Sequence, residues 1–309
     1  MKSKNHETSF DWSEVECCPS CGQCDLRNLA SLISEKVLDG NLSGEMVAFY
    51  EDLKNGYGKT RSLFRSFSAD HFKDGQVKND LLRCTNVGHD LPAWVRKKST
   101  KGLKVAIVAQ DPFRSGFGNG QMVLSTPFGL HSPLCPRNNL MFYELIENFL
   151  THDAFVYVTD CSKIFHGLPP GVGKKCATCE KLECENHGLG GDGVLSENSN
   201  SAILAEELKL FAPNVIVALG KKATQTLFPS FPIGDFKTYA LARKEIEHQY
   251  VEDKEVRAWT LIHPSRQNYP VLSGMRGKGK VKRADVENRV CKYYRKSAGT
   301  IMGKMKGVQ

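Results

Sequence analysis

The stretch "VAIVAQDPFRSG", Val105 to Gly116, is an apolar, β-rich run that breaks off at a polar turn holding a proline. A run without alternation suits a strand buried on both faces, as in a parallel sheet. Three more runs have the same character: "AFVYVT" (154–159), "NVIVAL" (214–219) and "AWTLI" (258–262), alongside "LKVAIVA" (103–109) itself. Helical spacing fills the gaps at Asn138–Leu150, Ser201–Phe211 and Lys221–Phe228. Strands alternating with helices predict an α/β, three-layer α/β/α fold around a central four-stranded parallel sheet. Upstream, "LRNLASLISEKVL" and "SGEMVAFYEDLKNG" read as two helices, the second with Ser43 as a possible N-cap and Glu45 in its first turn.

Every one of the four strands stops at a polar turn: "QDPF", "DCSK", "GKKA" and "HPSRQN". Ligands of open parallel sheets bind beyond the carboxyl ends of the strands, so the four turns are expected to line one crevice. Gln110, Asp111 and His263 are costly to bury without a task.

The rest of the chain sets bounds. Its 309 residues suffice for one large domain, and 40% hydrophobic with 25% charged residues is ordinary for a globular protein. The formal charge of +8 favours a polyanionic partner, nucleic acid being the commonest. The N-terminus lacks a signal-peptide core and no run approaches a membrane span, so a cytoplasmic, non-membrane protein is expected. In that compartment the 11 cysteines are not expected to form disulfides. Cys84, Cys135, Cys161 and Cys291 are scattered and read as packing residues. The other seven cluster in "CCPSCGQCDLRN" and "CATCEKLECENH", which predicts metal ligation by Cys18, Cys21, Cys24, Cys176, Cys179, Cys184 and His187. The organisation expected is a Cys-rich segment at 1–24, one domain at 25–290 with a metal-binding insertion at about 166–200, and a basic tail at 291–309. From Arg276 basic residues alternate with aromatics, which reads as a helix followed by a loose end.

"AQDPF", "VTDCSK", "PNVIVALGKKA" and "HPSRQN", in that order at strand ends, resemble the uracil-DNA glycosylase superfamily over roughly Cys21 to Asn268. The resemblance implies a DNA glycosylase that turns a nucleotide out of the stack and cleaves the bond between sugar and base. With no evident catalytic lysine it is expected to be monofunctional and hydrolytic, and a monomer is the default for an enzyme that clamps one DNA site. The resemblance also implies that Asp111 activates or orients water and that His263, preferably neutral, donates to the base carbonyl as it becomes anionic. Gln110, Phe113, Phe128 and Asp160 would line the base pocket, with Phe128 rather than Leu124 as its aromatic floor. Ser265, Arg266, Gln267, Lys221 and Lys222 would meet DNA.

Two departures from the family pattern matter. Uracil-specific relatives carry asparagine where this chain has Asp160. A carboxylate offers acceptors only, which suits the amino group of cytosine better than the carbonyl of uracil. The substrate implied is a 5-substituted cytosine, since excising the plain base would destroy the host genome; decorated phage DNA would supply such a mark, and a defence role follows. Ordinary uracil excision in repair is the alternative. The second departure is in the cysteines. "CGQCDLRN" resembles the N-terminal ligand pair of the iron–sulfur branch, yet the positions of its other two ligands carry none, and the insertion cysteines stand instead. A 4Fe-4S cluster and structural zinc both remain open. A non-catalytic DNA-binding relative would be expected to lack Asp111 or His263, and a zinc deaminase would need an H-x-E and P-C-x-x-C signature that does not occur.

Overall fold

A computed structural model describes residues 10–19, 25–38, 42–56, 65–68, 71, 86–98, 102–110, 121–130, 140–163, 165–167, 197–251, 254–264, 268–272 and 283–307. The four apolar runs are the strands β5 (Lys104–Ala109), β7 (Phe155–Asp160), β9 (Val215–Leu219) and β11 (Lys254–Leu261). They lie parallel in the spatial order β7-β5-β9-β11. Their apolar runs are buried on both faces, in β11 from Ala258 to Leu261, which accounts for the missing alternation. The parallel core is extended to seven strands by antiparallel additions: β4 (Ala93–Lys97) and β1 (Val15–Cys17) beyond β7, and β10 (Glu245–Val251) beyond β11. The two edge strands, β1 and β10, are short or polar, as suits a sheet margin, and that is why apolar runs alone did not reveal them. A separate four-stranded sheet joins β2 (Arg65–Ser68), β6 (Gln121–Ser125), β3 (Asn86–Asp90) and β8 (Phe165–Gly167) in that order.

Three layers follow from the strand order. The step from β5 to β7 goes one way across the sheet and the step from β7 to β9 goes the other. Right-handed crossovers therefore put the intervening helices on opposite faces. The helices are α1 (Leu26–Lys36), α2 (Ser43–Gly56), α3 (Leu140–Thr151), α4 (Glu197–Phe211), α5 (Lys221–Leu227), α6 (Phe236–Ala242) and α7 (Arg283–Lys306). On one side α1 packs against α2 and α4; on the other α3 packs against α7. None of the described helices is long and apolar enough to cross a membrane.

Several expectations shift. The helix α2 already includes Ser43, since Met46 N donates to Leu42 O; Glu45 does occupy its first turn. Asp25 is a true cap, accepting from Asn28 N at the start of α1. The stretch at 166–200 is not irregular at its ends: β8 covers its start and α4 begins at Glu197. The basic stretch reads as a helix and is one: α7 runs to Lys306, with Tyr294, Ala298, Ile301 and Met302 buried against the core. These apolar positions recur at helical spacing among the cations.

Candidate functional site

The strand ends meet along one edge of the sheet. Register pairs Asp160 with Ala109, so Asp160 stands beside the residue preceding Gln110. Leu261 pairs with Leu219, so Gly220 and His263 leave the neighbouring strands side by side. The strand order reverses between β5 and β9, the place where a doubly wound sheet takes its ligand. Gln110 is half-buried, and its carbonyl accepts from Ser162 N at 3.0 Å, tying the first turn to the second. Asp111 and Phe113 lie outside the described residues, as do Ser265, Arg266 and Gln267.

His263 sits at the far end of this edge. Burial alone pushes its imidazole down to about 4, so it is neutral at physiological pH. Its ring centroid is 5.6 Å from that of Phe128. Phe128 in turn stacks on buried Phe142, 3.8 Å between centroids and 17° between planes. The Phe128 backbone is in the left-handed region, at φ 55°, where a phenylalanine is strained. Gly129 O accepts from Tyr143 Oη at 2.6 Å and helps to hold the turn. That turn, Pro127–Gly129, packs against β7, while the Phe128 ring itself reaches His263 beyond β11. Leu124, by contrast, is fully buried in β6 and presents no face to a crevice.

Gly220 explains the close fit beneath His263. Its φ is +92°, and a Cβ there would come within 3.2 Å of His263 Cβ. Both the backbone angle and the space demand glycine. Lys221, exposed, and Lys222 open α5 directly after it. Thr224 Oγ1 donates to Gly220 O at 2.8 Å and lies 2.6 Å from Thr260 Oγ1, which locks α5 to β11.

Behind Asp160 lies a charged pair that the sequence reading missed. Asp160 is buried, and its backbone carbonyl accepts from Lys163 Nζ at 2.7 Å. The same ammonium donates to Thr159 Oγ1 at 3.0 Å and lies 2.8 Å from Glu207 Oε1. Lys163 and Glu207 are 2% and 0% exposed, so the pair is fully desolvated. Thr159 Oγ1 also donates to Glu207 at 2.6 Å, and Tyr157 Oη does so at 3.4 Å. The turn is held further by Lys163 N, which donates to Asn200 Oδ1, and by His89 Nδ1 against Lys163 O. A signal existed: Glu207 stands among Ile203, Leu204, Leu208 and Phe211 on the apolar side of α4, where a lone carboxylate needs a buried cation.

Of the expected metal ligands, Cys18 alone lies among the described residues. It is buried, at φ 49°, and its sulfur accepts from Cys17 Sγ at 3.7 Å. That contact and burial drive the Cys17 thiol well up. Among the described residues no three metal-type side chains gather. Cys161 and Cys291 fit the packing role: burial pushes each thiol up to about 12, far from a reactive thiolate.

Residues 97–282, more than half of the chain, match the family model described as the Uracil DNA glycosylase superfamily. No curated protein matches the chain.

Proposed function

The chain belongs to the uracil-DNA glycosylase superfamily, whose members act on DNA, and from that premise we propose that it is a DNA glycosylase excising a turned-out pyrimidine by hydrolysis. The observation that carries the reading is the neutral His263 held beside Phe128, on the sheet edge that also presents Asp160. In this reading the base stacks on the face of Phe128 away from Phe142. The bond between the sugar C1′ and the base nitrogen breaks, and its electron pair leaves with the base. His263 donates a hydrogen bond to the base oxygen where that charge collects, and a neutral imidazole does so without being consumed as an acid. Asp111 steers water to C1′ and takes up its proton, which then passes to the departed base. Lys221, Lys222, Ser265, Arg266 and Gln267 engage the backbone and the gap left by the base.

The finer reading concerns which base. Asp160 accepts from an exocyclic amino group, so a 5-substituted cytosine is the proposed substrate and decorated invading DNA its source. Duplex oligonucleotides carrying uracil, cytosine or 5-substituted cytosines are incubated with the protein and alkali-labile abasic sites are counted. The expected order places a substituted cytosine first. Uracil ahead of every cytosine removes the cytosine reading; no abasic sites on any substrate removes the glycosylase reading. We also propose that the two cysteine clusters hold a structural 4Fe-4S cluster or zinc. Metal analysis of the purified protein, with absorbance near 400 nm for iron–sulfur, decides between the two.

A further inference from the structure

The ladder of β11 ends at Leu261, whose carbonyl accepts from Gly220 N. Ile262, the next residue, is only 3% exposed, so its amide and carbonyl must find partners away from water. Both are supplied by two consecutive residues of α7. Tyr294 Oη donates to Ile262 O at 2.7 Å. Ile262 N donates to Tyr293 Oη at 3.3 Å, and that hydroxyl donates onward to Ala240 O at 2.8 Å. Consecutive helical residues point about 100° apart, so their tips rarely reach one target. Here the rings stand edge to face, 76° between planes, and straddle a single residue.

The clamp is itself braced. Arg243 lies over the Tyr293 ring at 5.1 Å and donates to Ser297 Oγ, which donates to Tyr293 O. On the other side of His263, Asn268 Nδ2 donates to His263 O at 3.0 Å. The helix α7 begins at Arg283, beyond the family match at residues 97–282. We infer that Tyr293 and Tyr294 are positioning residues that fix the Ile262 backbone and thereby aim the His263 ring, a task given in this chain to a helix outside the matched superfamily region. The inference rests on the reading of His263 as the group facing the departing base. Misplacing such a group by about 1 Å costs on the order of a hundredfold in rate.

The test uses the full chain with Tyr294→Phe, Tyr293→Phe and both together. Single-turnover excision is expected to fall about tenfold for Tyr294→Phe and about a hundredfold for the double variant. Affinity for duplex carrying an abasic-site analogue should stay within about twofold. Independently of turnover, NMR follows His263 ring titration: its midpoint, pushed down to about 4 by burial in the parent, moves upward in Tyr294→Phe as the loosened clamp admits water. A shifted His263 titration in a parent that excises no base supports the clamp and sinks only the catalytic reading. An unchanged rate and titration in the double variant overturns the clamp. Should Tyr294→Phe fail to fold, Tyr293→Phe carries the test through amide exchange at Ile262; faster exchange supports the inference and unchanged exchange defeats it.

Discussion

At the end of β7 a lysine and a glutamate meet in the core and brace the backbone of Asp160. At the end of β11 the holding groups are aromatic: phenols bond the backbone and phenylalanine stands beside a neutral imidazole. The two strand ends lie on the same edge of the sheet but are held in different ways. A base-reading carboxylate keeps its position when it is anchored through a charged network, because such a network admits few alternative geometries. An imidazole set among aromatic and apolar groups stays neutral, because burial disfavours its protonated form.

The contrast breaks most violently at Lys163. Lys163→Met leaves Glu207 buried without its cation and should cost roughly 3–5 kcal/mol of stability, read by thermal or denaturant unfolding. Adding Glu207→Leu should recover most of the loss; a double variant no more stable than the single would show that the pair is not the anchor. At the other end His263→Gln should leave the fold intact and lower single-turnover excision by about 10²–10³, with DNA affinity kept. Smaller again is Asp160→Asn, expected to move preference toward uracil by roughly tenfold, on the basis of about 1–3 kcal/mol for a mismatched buried acceptor. Phe128→Ala should weaken capture of the extruded base by roughly 1–3 kcal/mol, seen in saturation kinetics.

A final comparison is the pH dependence of stability. His263 titrates at about 4 when folded against 6.5 in the unfolded chain, so between those values only the unfolded state takes the proton. Its contribution is therefore complete above pH 6.5 and declines as pH falls toward 4, with no further loss below. Comparing unfolding of the parent and His263→Gln across that window isolates the slope; parallel curves would contradict the burial of the ring.

How much of this was legible beforehand depended on how local each signal was. The runs at 103–109, 154–159, 214–219 and 258–262 announced buried parallel strands because burial on both faces removes alternation. Phe128 and His263 were legible from the turns they occupy. The edge strands β1 and β10 were not, because pairing rather than apolarity defines them. Nor was the contact of Tyr293 and Tyr294 with Ile262, since the basic, aromatic stretch that holds them reads as a helix without saying which strand end it meets.

The amino-acid sequence by itself determined the strand–helix alternation, the four polar strand ends and the acceptor-only chemistry of Asp160, since each is written within a few consecutive residues. Only the tertiary structure decided that Glu207 answers Lys163, that Phe128 reaches His263 and that α7 closes on Ile262. Those partners lie 44, 135 and 32 positions apart along the chain (207 − 163, 263 − 128 and 294 − 262). Contacts at such separations leave no periodicity, and burial alone creates the need that each of them meets.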